Sequence, residues 1–164
     1  MPKVRRNDPI AYRRALLDAD NEDPMDDEHL ESELVQSFDC ATDPTQLDTT
    51  ATPAALFYAS WLVEMEVGNG GFGQFALNAY EWFSLAARGY DALGLPEVAE
   101  AIRAAHAVAK SEEAQIFDAR GGDVYAASRY FTGTALEPFD EHYDSLCVTA
   151  ERVAFARAHR HDFG

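Results

Sequence analysis

Between residues 15 and 87 this chain has no lysine and no arginine. All 164 residues hold only two lysines, Lys3 and Lys110, and 29 carboxylates outweigh the 13 basic side chains to give a net charge of −16. Direct binding of nucleic acid is disfavoured, because a phosphate backbone is met by clustered lysine and arginine. The one basic cluster, Lys3, Arg5, Arg6, Arg13 and Arg14, is short and attached to a strongly negative body. Cysteine is scarce too: Cys40 and Cys147 are far apart and match no metal or redox spacing. That excludes a disulfide scaffold and points to free thiols in a reducing compartment, so the expected location is the cytoplasm. Long apolar runs are missing. The longest charge-free run, residues 49–63, is too short to span a bilayer, and only Ala15-Leu16-Leu17 follows the basic N-terminus where a signal sequence would need a longer apolar core.

Catalytic signatures are also absent. There is no HExxH, no GxSxG, no Walker loop and no Cys–His cluster at ligand spacing. His29, His106, His142, His159 and His161 are scattered, and His106 borders an apolar stripe, as a packing histidine does. His159, His161 and Asp162 form a weak metal pattern; neither metal nor cofactor is assigned. Glu64 and Glu66 stand at i,i+2, a spacing that diverges on a helix, so they are not a catalytic pair. A pair of carboxylates from distant segments would leave no sequence trace. The reading is therefore not an enzyme.

What the chain does have is 47% apolar and 12% aromatic residues, enough for a core, at a length suited to one domain. The pattern is helical throughout. Asn7 or Asp8 with Pro9 opens a helix to about residue 19, after a frayed segment 1–6. Residues 26–38 form a second helix with Leu30, Leu34 and Phe38 on one face, which leaves Asp27, Glu28, Glu31 and Glu33 toward solvent. Thr52 and Pro53 start a helix that runs to Val67, with Gly68 as its cap. A short helix follows at 72–79, then one to Gly94, one from Pro96 to Lys110, a turn or two to 119, and a last helical stretch from Pro138 past Val153. Residues 120–135 give no clear pattern. The expected fold is all-α: a single compact multi-helix domain over 1–164 with a glycine-rich helix–helix corner.

That corner is Val67-Gly68-Asn69-Gly70-Gly71-Phe72-Gly73-Gln74-Phe75, with Asn78 beyond it. Gly68, Gly70 and Gly73 satisfy the dinucleotide fingerprint GxGxxG, and Asp91 stands where a ribose partner would. The fingerprint needs a strand–helix–strand unit, and the helical lead-in with no second strand argues against it. Asn69, Gly70, Gly71, Phe72, Gln74 and Asn78 together resemble the signature of a family of small helical domains of unknown function. The best-known representative of that family is a DNA-mimic protein. The resemblance extends over about residues 50–163, through Phe139-Asp140-Glu141-His142-Tyr143 to His161-Asp162-Phe163. Gly68 and Gly73 stand where larger or polar residues are expected in that family. The motif residues read as architecture, capping and bracing a helix junction.

Function is read instead from the charge map. Residues 15–87 sum to −15, and 88–164 only to −5. Twelve carboxylates crowd into one stretch: Asp18, Asp20, Glu22, Asp23, Asp26, Asp27, Glu28, Glu31, Glu33, Asp39, Asp43 and Asp48. Ordinary helix surfaces interleave lysines with such acids. A cation-free carboxylate surface offers a basic protein a field comparable to that of DNA phosphates. Both the charge map and the resemblance point to a partner that is a basic DNA-binding protein, a transcription regulator or nucleoid protein. Homodimerisation is left open; a membrane is not expected. Two alternatives share the composition: an immunity-type inhibitor of a basic nuclease or toxin, and an acidic domain of halophilic type with no mimicry.

Overall fold

A computed structural model describes residue 11 and residues 15–17, 27–38, 51–122, 127 and 134–163. The predicted first helix, the frayed segment 1–6 and the irregular region around 123–133 lie largely outside those residues. The fold is all-α. In chain order the helices are α1 (Asp27–Gln36), α2 (Pro53–Ala79), α3 (Phe83–Ala92), α4 (Pro96–Ser111), α5 (Glu113–Gly121), α6 (Tyr143–Leu146) and α7 (Thr149–Ala158). Single 3₁₀ segments, Tyr80–Trp82, Glu137–His142 and Arg160–Asp162, lead into α3, into α6 and away from α7.

The long helix α2 is the spine. Thr52 Oγ1 accepts the Ala55 N–H at 3.2 Å, and Pro53 occupies the first turn, so its start is capped as its sequence requires. It packs most extensively against α3, and α3 against α4. Gly89 makes the first of these crossings close: a β-carbon there would lie 2.6 Å from the Leu56 carbonyl oxygen. A glycine inside a helix lowers its propensity, and here the missing side chain makes room for a helix contact. The main core gathers Val63, Phe72, Phe75, Phe83, Tyr90, Ile102 and Ile116. Phe75 meets Phe83 edge-to-face at 4.6 Å, and His106 stacks on the other part of this cluster at 5.0 Å from the Phe83 ring, nearly parallel. His106 is thus a packing residue. Each fully buried Phe contributes roughly 1.5–3 kcal/mol. A second cluster, Leu30, Leu34, Phe57, Val153, Ala156 and Phe163, fastens α1 and α7 to the far side of α2.

The structure corrects the sequence reading in two places. The helix beginning at Pro53 does not stop at Gly68; it stays helical until Gly70 and Gly71, where the backbone turns (φ −171°, ψ 28° and φ 75°, ψ −179°) before helix resumes. The last stretch is not one helix but α6 and α7, separated at Cys147 and Val148 (ψ 85° and 43°). The Leu146 carbonyl at that break accepts the Tyr90 hydroxyl at 2.7 Å, so a side chain from α3 takes the place of the next helical amide. No helix among the described residues is long and apolar enough to cross a membrane.

Candidate acidic interaction surface

Of the twelve predicted acids, Asp18, Asp20, Glu22, Asp23, Asp26, Asp39, Asp43 and Asp48 lie outside the described residues. The other four sit on or beside α1 and do not behave alike. Glu28 is exposed and Glu33 half-buried. Asp27 stands 3.2 Å from Arg157 of α7, an exposed pair. Glu31 is the correction. It is 8% exposed, on the same side as Leu30 and Leu34, rather than facing solvent.

The reason is Arg152, a fully buried arginine on α7. Its Nε lies 2.5 Å from Glu31 Oε1 and its Nη2 2.5 Å from Glu64 Oε2, while Thr149 Oγ1 donates to the remaining Glu31 oxygen at 3.1 Å. Burial alone would lower the Arg152 pKa. The bonds to Glu31 and the charges of Glu31 and Glu64 outweigh it and hold the guanidinium above its usual value. The cation that sequence neighbours fail to supply to Glu31 comes from 121 residues away. This cluster ties α1, α2 and α7 together. Tyr90, whose pKa is raised by burial first and only partly countered by Arg152, sits beside it with its hydroxyl on the Leu146 carbonyl.

The kink carries a second network. Gly71 holds the left-handed φ that a β-carbon resists, and the space where that β-carbon would stand is filled by the Asp140 carboxylate. Asp140 Oδ1 accepts the Phe72 N–H at 2.7 Å, capping the resumed half of α2. Across the kink, Gln74 Nε2 and Asn78 Nδ2 both donate to Glu66 Oε2, at 3.0 and 2.8 Å. Glu66 lies near the end of the first half of α2, and Gln74 and Asn78 lie one turn apart on the second. Phe72 is fully buried beneath them, and Asn69 is exposed. Gly71, Phe72, Gln74 and Asn78 of the motif form one brace with Glu66 and with Asp140 of the Phe139–Tyr143 segment. The carboxylates Glu64 and Glu66 turn to different partners, as their i,i+2 spacing demands.

The sequence that forms this kink lies within a match to a known family. The chain belongs to the DMP19-like protein family. The match covers residues 48–159, so it takes in the whole kink with its brace, α3 to α7, and the Arg152 network apart from Glu31. No curated protein and no solved structure matches the chain. Eleven of the twelve acids, all but Asp48, precede the DMP19-like region. His159 belongs to packing: its Nδ1 lies 2.9 Å from the Phe155 carbonyl and its ring rests on the Phe155 ring. Among the described residues, no three His, Cys, Asp or Glu side chains gather as a metal-ligand group.

Proposed function

We propose that this DMP19-like chain is an acidic DNA-mimic-like protein that binds the basic, DNA-contacting surface of a transcription regulator or nucleoid protein. One observation carries the reading: fifteen carboxylates between residues 15 and 87 with no lysine or arginine among them. Such a surface steers a basic partner by its field and competes with DNA for the same side chains. Family membership supports it, since the best-known DMP19-like protein is a DNA mimic. The acids from Asp18 to Asp48 are the proposed contact set, less Glu31, whose charge is spent on Arg152.

Competition with DNA tests the reading directly. Basic proteins from the source cell are held on duplex-DNA resin at low salt, and the full chain is added. A mimic releases a DNA-binding protein, and the complex it forms dissociates as ionic strength rises through the range where the screening length falls below about 10 Å. Failure to release any DNA-bound protein, or a complex indifferent to salt, rejects the proposal.

A further inference from the structure

The regional charge sum hides a second cation-free stretch. Residues 130–151 contain Glu137, Asp140, Glu141, Asp144 and Glu151 and no lysine or arginine. The 3₁₀ segment and α6 within it pack against α2, itself part of the long stretch that lacks cations. The fold thus brings two cation-free segments together at the kink. Glu66 and Asp140 are held there by neutral amide donors, which orient the carboxylates without cancelling their charge. Glu141 and Asp144 are exposed beside them.

The same place carries exposed apolar surface. Among the described residues the exposed large hydrophobic side chains are Met65, Phe117 and Tyr143, and two of these three share the kink face. Tyr143 lies over Gly68, where a β-carbon would come within 2.9 Å of its Cε2 and hydroxyl. Met65 is one helical turn before Gly68 on the same side of α2. Next to Tyr143 is the exposed thiol of Cys147. Scattered single apolar residues need no explanation, but an aromatic anchor with a neighbouring methionine inside a carboxylate rim has the anatomy of an interface.

We infer that the kink face, with Tyr143 and Met65 as anchors and Glu66, Asp140, Glu141 and Asp144 as its charged rim, is a docking surface for a basic DNA-binding protein. Charge decides the occupant: a second copy of this chain would set carboxylates against carboxylates, whereas a DNA-contacting face supplies the arginines and lysines that both segments lack. The inference rests on the mimic reading and adds to its upstream acids a contact surface wholly inside the DMP19-like region. The brace of the family motif then has a use beyond architecture, since it fixes carboxylates in space as a duplex fixes phosphates.

The probe is the DNA-binding protein that the wild-type chain releases from duplex-DNA resin, purified and titrated against full-length variants. Tyr143→Ala and the pair Glu141→Gln with Asp144→Asn should each weaken binding by roughly tenfold or more, with unchanged circular dichroism. Glu97→Gln, an exposed acid of α4 outside both sets, should change it by less than about threefold. On the wild-type chain, bound partner should protect Cys147 from N-ethylmaleimide, read by mass on its own peptide apart from Cys40. If the wild type releases protein but the kink variants bind normally, or Cys147 stays open in the complex, the surface is wrong and the mimic reading stands. If the wild type releases nothing, both fall.

Discussion

Gly71→Ala is the most exposed test of the kink. Its φ of 75° and ψ of −179° belong to a region open almost exclusively to glycine, and forcing alanine there costs about 1–3 kcal/mol. The new methyl group also enters the space of the Asp140 carboxylate, so the 2.7 Å bond to the Phe72 N–H is lost, a cap worth about 1 kcal/mol. The expected total is about 2–4 kcal/mol, a large part of the ~5–15 kcal/mol that holds a domain. Asp140→Ala alone should cost about 1 kcal/mol. The double variant should fall short of the sum, because without Asp140 the methyl group has nothing to strike. Urea unfolding measures all three, with a fall in midpoint of about 1–2 M for Gly71→Ala at unchanged slope. A Gly71→Ala protein within about 0.5 kcal/mol of wild type, or strict additivity in the cycle, would refute the account of the turn.

Arg152→Met should destabilise by about 3–5 kcal/mol, since it strands Glu31 and Glu64 in a buried site, and chemical denaturation of Arg152→Met combined with Glu31→Gln and Glu64→Gln should recover much of that loss. Glu28→Gln should lie within about 0.5 kcal/mol of wild type by the same assay, whereas Glu31→Gln should cost about 1–3 kcal/mol; a loss of binding on replacing Glu31 would therefore report unfolding rather than lost charge. The Tyr90 pKa lies above its ordinary value of 10.0, so the folded chain holds that proton more tightly than the unfolded one. Its contribution to stability is complete below pH 10 and declines as pH rises beyond it, by about 1.4 kcal/mol per unit. Urea unfolding from pH 9 to 11.5 should show Tyr90→Phe with a shallower alkaline decline than wild type, and parallel curves would remove Tyr90 as the cause.

Local signals carried well into the structure where the physics is local. Thr52 and Pro53 start α2 as their residue types require, Gly94 ends the helix before it with a φ of 79°, and Leu30 and Leu34 are buried at their i,i+4 spacing. The errors share one origin. Glu31 looks solvated because no cation stands near it in sequence, yet Arg152 reaches it through the fold. Gly68 looks like a helix cap because it is the first glycine, but the turn falls at Gly71, where Asp140 can take the next amide. The break between α6 and α7 has no glycine or proline to mark it, and the Leu146 carbonyl there is met by the distant Tyr90 and by Arg152. The second acidic segment was legible as residues but not as a surface, because a sum over 88–164 mixes it with arginines on other helices.

The bond from Asp140 to Phe72 joins residues 68 apart, and that separation has a kinetic meaning. Each half of α2 can form from its neighbours alone, within about a microsecond, but the angle between the halves waits for a long loop to close and deliver the carboxylate. The kink is therefore a late event in folding. Asp140→Ala should accelerate unfolding in stopped-flow measurements while leaving the refolding rate nearly unchanged; a slowed refolding limb would place the closure before the barrier instead.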